Sequence, residues 1–278
     1  MVQFSSRMSQ LKGSAIRELL ALANKPEVLS FAGGMPAPEL FPVDKIKAAT
    51  DAVLDEQGKI ALQYSSTNGF EHFRQQIADR MEAKLNIKTS ADNILVTSGS
   101  QQGLDYSARV FCDKGDVVII ESPSYLGALN AFKACEPNFV AIPTDGDGMI
   151  MEELEKVLAT TENVKMIYVI PDFQNPSGRT WPLERRKQFM DIINKYEIPV
   201  VEDNPYGELR FEGEYLPALT SVSASTVKSA AIPSTEENSN TAWSSKTTLR
   251  LSSRSRRFSL RPTRSSTTSP RSPLSATA

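Results

Sequence analysis

Apolar residues recur at helical spacing at Ile16, Leu19, Leu20 and Ala23 within residues 14–24, and Ser14 is placed to cap that segment. Lys25-Pro26 ends it. Residues 28–42 (VLSFAGGMPAPELFP) hold two glycines and three prolines and read as an extended loop. A helix is expected from Asp44 to about Gln57, then a loop from Gln63 to Gly69, then a helix from Phe70 to Leu85. Beyond it, short β-branched runs alternate with helical ones. Strands are expected at Ile94–Thr97, Val117–Ile120, Phe139–Ile142, Met166–Ile170 and Ile198–Glu202. Helices are expected after Ser98-Gly99-Ser100 through Phe111, and over Ser124–Ala134, Glu152–Leu158 and Leu183–Tyr196. Met166–Ile170 is apolar throughout, the pattern of a strand covered on both faces. The alternation predicts an α/β fold: a mainly parallel sheet flanked by helices. No internal repeat is visible.

Ligands of such sheets sit outside the carboxyl ends of the strands. Four predicted strand ends carry polar residues: Ser98 to Gln101, Ser122 to Tyr125, Asp172 to Gly178, and Asp203 to Tyr206.

Composition narrows the chemistry. The 278 residues are 40% hydrophobic and 23% charged, enough for a sizeable core. No apolar run reaches membrane-spanning length, and the first residues lack the apolar stretch of a signal peptide. Two cysteines, Cys112 and Cys135, make neither a disulfide framework nor a zinc cluster. A single histidine, His72, argues against multi-histidine metal sites and a Ser-His-Asp triad. A cytoplasmic protein is expected. The net charge of -2 conceals an asymmetry: residues 221–278 carry nine Lys and Arg against two Glu, about +7, leaving -9 for residues 1–220. That tail also holds 17 Ser and 9 Thr and shows no helical or strand period.

Each candidate residue has a plain structural account beside a chemical one. Ser98-Gly99-Ser100-Gln101 leads from a strand into a helix, whose free N–H groups and partial positive charge suit a phosphate. The plain account is an N-cap by Ser98 or Ser100. Asp203, at the end of a largely apolar strand, could pair with a buried cationic ring nitrogen, or could cap the next turn. Tyr206 could aim its phenol at the same crevice, or pack as a core tyrosine. Asn175, in Asn175-Pro176-Ser177-Gly178, could donate to a ligand oxygen or form an Asx-turn. Tyr125 could lie against a flat cofactor or simply pack. Gly33-Gly34 could admit a substrate carboxylate to the backbone, or could only loosen the loop.

Taken in order, SFAGGMP (30–36), QYSSTNG (63–69), TSGSQQGLD (97–105), PSY (123–125), QNPSG (174–178) and EDNPY (202–206) resemble the class I/II aminotransferases of fold type I. These use pyridoxal 5'-phosphate (PLP). The similarity spans about residues 11–220 and is greatest to the 2-aminoadipate, kynurenine and aromatic aminotransferase branch. It implies that Ser100 and Gln101 hold the PLP phosphate, and that Tyr125 stacks on the pyridine ring. It implies further that Asn175 and Tyr206 contact the phenolic oxygen, while Asp203 pairs with the protonated ring nitrogen. Tyr64 would reach the phosphate of a partner subunit, so a homodimer is implied. Gly34 and Arg17 would lie near the substrates, an amino acid and a 2-oxo acid.

The same resemblance defines a departure. The family's catalytic lysine, which holds PLP as a Schiff base and moves the substrate's α-proton, is not recognisable here. After Tyr206 the only lysines are Lys228 and Lys246, and the surroundings of Lys246, AWSSKTTLRL, lack the family's following motif. The role is therefore not carried to it. The chain divides into an N-terminal arm and substrate loop (1–43), an incomplete PLP-binding large domain (44–220) and a Ser/Thr/Arg-rich tail (221–278), expected to be disordered and to reflect a frameshift or truncation. An aminotransferase impaired as written is the leading expectation. A non-catalytic PLP-binding remnant or pseudoenzyme and a same-fold lyase or decarboxylase are the alternatives. The basic tail alone, with few interleaved aromatics, does not establish nucleic-acid binding.

Overall fold

The structure is a computed structural model that describes residues 5, 7–8, 28, 34, 36–196 and 198–222, with the backbone of two strands at 228–233 and 246–251. The helix expected over residues 14–24, and Arg17 and Gly33 with it, lies outside the described residues.

Seven strands form one sheet. In chain order they are β1 (Val117–Ser122), β2 (Asn138–Asp145), β3 (Gly148–Met149), β4 (Val164–Val169), β5 (Val200–Asn204), β6 (Lys228–Pro233) and β7 (Lys246–Leu251). Their spatial order is β3-β2-β1-β4-β5-β7-β6. The central four are parallel, while β3, β7 and β6 pair antiparallel with their neighbours. The chain leaves β1 toward β2 and returns to β4 on the other side of β1. The order therefore reverses between β1 and β4, and a crevice opens beyond their carboxyl ends.

Helices α1 (Val43–Ala61), α2 (Glu71–Leu85), α3 (Ser100–Phe111), α4 (Leu126–Phe132), α5 (Met151–Thr160), α6 (Leu183–Ile193) and α7 (Leu219–Val222) complete the fold. Successive strand residues point to opposite faces. Val117, Ile119, Ile167, Val169 and Val200 meet α5, α6 and Trp181 on one face. Val118, Ile120, Met166, Tyr168 and Val201 meet Leu104, Ala108, Ala128 and Phe132 of α3 and α4 on the other. Both faces of β4 are thereby covered, as its unbroken apolar run requires. A smaller cluster packs Ile77, Ala78 and Met81 of α2 against Ile87, Ile94 and Ala218. No described helix is long and apolar enough to cross a membrane.

Two expectations need correction. Ile94–Thr97 is not a continuous strand: only Ile94 and Thr97 make isolated bridges, and the Val96 N–H bonds the Asn68 carbonyl at 3.0 Å. The helix expected from Ser124 begins only at Leu126 and tightens into a 3-10 turn at Lys133–Cys135. Two segments of the tail are strands β6 and β7, while residues 223–227, 234–245 and 252–278 lie outside the described residues. The physical reason is the edge of β5, whose backbone N–H and C=O groups accept any extended partner. The segment Lys246–Leu251 (KTTLRL) in fact alternates, with Thr247, Leu249 and Leu251 at one parity.

Gly148 holds φ +100, and a Cβ there would lie 2.2 Å from Cδ1 and Nε1 of the fully buried Trp181. The indole has no room to move. Gly148→Ala is expected to destabilise the fold by about 3 kcal/mol, from overpacking plus left-handed backbone strain, measured by urea denaturation.

Candidate functional site

The carboxyl ends of β1, β4 and β5 each deliver a buried acid. Glu121, near the end of β1, is 1% exposed. Its two oxygens accept the Ile170 backbone N–H and the Trp181 indole N–H, both at 3.0 Å. Burial pushes its carboxyl up to about 7, although both hydrogen bonds oppose the shift. Asp172, just past β4, accepts from Arg186 at 2.9 Å and from Arg210 at 3.1 Å. Arg186 is wholly buried and also donates to the carbonyls of Pro171, Trp181 and Pro217. Glu202 on β5 accepts the Leu219 N–H at 3.1 Å. Asp203, the next residue, is different. Among the described residues its carboxylate receives one hydrogen bond, from the Tyr168 hydroxyl at 2.9 Å. Burial pushes it up to about 6, with the Tyr168 hydrogen bond opposing.

These pins shape the segment 171–181. Gln174 is buried and donates to the Pro123 carbonyl at 2.7 Å, while its side-chain oxygen accepts the Ser177 N–H at 2.8 Å. Phe173 has the left-handed φ of 49°, held by a bond from its N–H to Thr180 Oγ1 at 3.0 Å and by the Arg210 guanidinium 4.7 Å over its ring. Asn175 is thus presented from a fixed turn. Its amide lies 3.4 Å from the Tyr206 hydroxyl. Tyr206 is set by the turn after β5, where the Asn204 side chain accepts the Gly207 N–H at 2.8 Å.

Tyr125 closes the group from β1. Its ring folds over Gly127, where a Cβ would meet ring atoms at 2.4 to 2.6 Å. Burial, then the charges of Asp203 and of Tyr206, raise its phenol pKa. The N-terminus of α3 borders it. Neither Ser98 nor Ser100 caps that helix: the N-cap is Gly99, at φ 80°, with no side-chain bond. The Ser98 N–H is instead taken by Gln102 Oε1 at 2.7 Å. The Gln101 amide reaches across to the Gly127 carbonyl at 3.1 Å, tying α3 to α4.

Asn175 and Tyr206 therefore meet at the carboxyl end of the sheet, and Tyr125 lies within electrostatic reach of Tyr206 and Asp203. Tyr64 stands away from them, 99% exposed, and Gly34 is exposed with open space around it. Among the described residues, no lysine side chain bonds to this group. The register does place the Lys246 backbone opposite Asn204, beside Asp203. Sequence reasoning passed over Tyr168, Glu121, Trp181, Arg186 and Gln174. A polar tip inside the apolar run Met166–Ile170 was the available signal for Tyr168.

A family model described as aminotransferase class I and II matches residues 33–247. The chain is 47% identical over 215 residues to aromatic-amino-acid aminotransferase 1 of Thermococcus litoralis, covering 76% of this chain and 52% of that protein. It is 41% identical over 216 residues to the 2-aminoadipate transaminase of Thermus thermophilus, covering 78% and 53%. The crystal structure of Pyrococcus horikoshii kynurenine aminotransferase, in complex with PMP, superposes with a TM-score of 0.73 at 38% identity, covering 80% of this chain and 55% of that one. The chain spans about half the length of the curated relatives it matches.

Glu121 gives this site a pH signature. Its folded carboxyl pKa lies above the usual 4.5, so the folded state binds the proton more tightly than the unfolded state. Stability from this group is full below pH ~4.5 and declines as pH rises toward 7, by about 3 kcal/mol. Glu121→Gln mimics the protonated form and removes that decline. Urea melts between pH 5 and 8 should show a shallower pH dependence in the variant than in the wild type.

Proposed function

The chain belongs to the class I and II aminotransferase family, and from that premise we propose that its crevice binds PLP for transfer of an α-amino group from an amino acid to a 2-oxo acid. The observation that carries this reading is Asp203: a buried carboxylate that, among the described residues, is served by one neutral donor, at the strand end that leads to Tyr206. Such an acid is stabilised by a cationic ring nitrogen.

The residues fit the group part by part. Asp203 would face the ring nitrogen and hold it protonated. Asn175 and Tyr206, 3.4 Å apart, present N–H and O–H groups to one oxygen on the ring edge. Tyr125 would cover one ring face. Ser100 and the uncapped first turn of α3 would take the phosphate through hydroxyl and backbone N–H groups. Gln101 would contribute through its backbone N–H, since its amide is engaged with Gly127. PLP, when bound, supplies the electron sink that acidifies the substrate α-carbon.

The remaining parts extend this proposal. Gly34, exposed in its loop, and Arg17 would lie at the substrate side. Tyr64, projecting into solvent, would reach the phosphate of a second copy, making the working unit a cytoplasmic homodimer that serves amino acid metabolism. Turnover needs an amine beside the cofactor, and the lysine brought to this edge by strand pairing is Lys246.

The test is a PLP titration of the wild type and Asp203→Asn, followed by borohydride reduction and peptide mapping. Wild type is expected to bind PLP at least tenfold more tightly than the variant, consistent with the loss of a buried charge pair. Equal affinities would sink the reading. A reduced adduct on Lys246 would support catalysis, whereas binding without any adduct would support the non-catalytic remnant.

A further inference from the structure

Resting on that PLP reading, we propose that Tyr168 is a positioning residue whose hydroxyl orients the Asp203 carboxylate and keeps it ionised toward the cofactor's ring nitrogen. Tyr168 is wholly buried on β4. Its ring is locked edge-on against Phe132, with centroids 5.4 Å apart and planes at 78°. The β4–β5 register sets Tyr168 opposite Val201, so Asp203, two residues further, lies on the same face of the sheet. The side chain therefore runs along the face toward the carboxylate and ends 2.9 Å from Oδ2.

Among the described residues each group is the other's only hydrogen-bond partner. This mutual arrangement differs from core filling. A buried tyrosine needs some acceptor, and a backbone carbonyl would serve. Tyr168 instead directs its donor to the acid that, among the described residues, receives no cation and no backbone N–H. The other titratable groups within electrostatic reach are Tyr125, felt by Tyr168 and itself influenced by Asp203, and Glu121, felt by Tyr168. Burial favours the neutral acid at Asp203, and the Tyr168 bond is the opposing influence. A neutral Asp203 would hold the shared proton itself. An ionised one leaves that proton on the ring nitrogen, where electron withdrawal requires it.

The experiment compares PLP with 1-deaza-PLP, in which carbon replaces the ring nitrogen. The whole chain is used as wild type, Tyr168→Phe and Asp203→Asn, with affinities from calorimetric titration and thermal melts to verify folding. Tyr168→Phe removes one oxygen and keeps the ring contact with Phe132. Wild type is expected to prefer PLP over the analogue, and Tyr168→Phe is expected to lower that preference by roughly tenfold, the scale of a hydrogen bond to a charged group. Affinity for the analogue should stay within about twofold, because no ring nitrogen is present to feel the change. An unchanged preference, or an equal loss on both ligands, would overturn the positioning role and leave the PLP reading standing. A wild type that does not distinguish the ligands would overturn the Asp203 reading and this inference together.

Discussion

A carboxylate taken out of water must find donors, and the crevice end of this sheet buries four of them. Glu121, Asp172, Glu202 and Asp203 are each no more than 3% exposed. Desolvation opposes every one of those charges, so the surrounding structure has to supply compensation. Three are satisfied from within. Glu121 takes a backbone N–H and an indole, Asp172 takes two guanidinium groups, and Glu202 takes the first N–H of α7. Asp203 receives a single neutral hydroxyl from the described residues. The difference separates the acids that hold the fold from the one acid that is held by a single hydroxyl.

The three satisfied acids do more than neutralise themselves. Glu121 joins β1 to the end of β4 and to Trp181, while Arg186 gathers Pro171, Asp172, Trp181 and Pro217. The irregular segment 171–181 is thereby held at both ends and in the middle, where Gln174 reaches Pro123. A loop fixed in this way behaves as an extension of the sheet. Asn175 thereby meets Tyr206 from a different strand end. Preorganisation of this kind lets binding energy go into contacts instead of ordering.

Much of this was legible in the sequence, and the failures have physical causes. The β-branched runs and the helical periods gave the parallel centre, because burial on both faces leaves a strong pattern. The polar residues at strand ends marked Asn175, Asp203, Tyr206 and Tyr125, since topology makes those ends converge. The partners that hold them were not visible. Trp181 and Glu121 are sixty residues apart and meet only in three dimensions. Arg186 looks like an ordinary charged residue on a helix, yet its whole side chain is buried against carbonyls. The alternative of an N-cap by Ser98 or Ser100 does not hold, because the cap position falls on Gly99, which has no side chain to offer. Local patterns report faces and ends, whereas the donors of buried acids come from anywhere in the chain.

The two antiparallel strands show where sequence demands relax. The ladder between β5 and β7 runs from Val200 opposite Arg250 to Asn204 opposite Lys246, and includes Asp203 opposite Thr247. Its bonds join main-chain groups, so an extended segment of modest alternation suffices to form it. The backbone of Asp203 consequently has a paired strand on its outer side, while β4 supports Val200 to Glu202 on the inner side. The carboxylate's position depends on both. The inner neighbour is specified by a packed apolar strand carrying Tyr168. The outer neighbour is specified only by the edge it covers. The Asp203 backbone is thus paired from the outer strand, while its carboxylate meets the Tyr168 hydroxyl of the inner one.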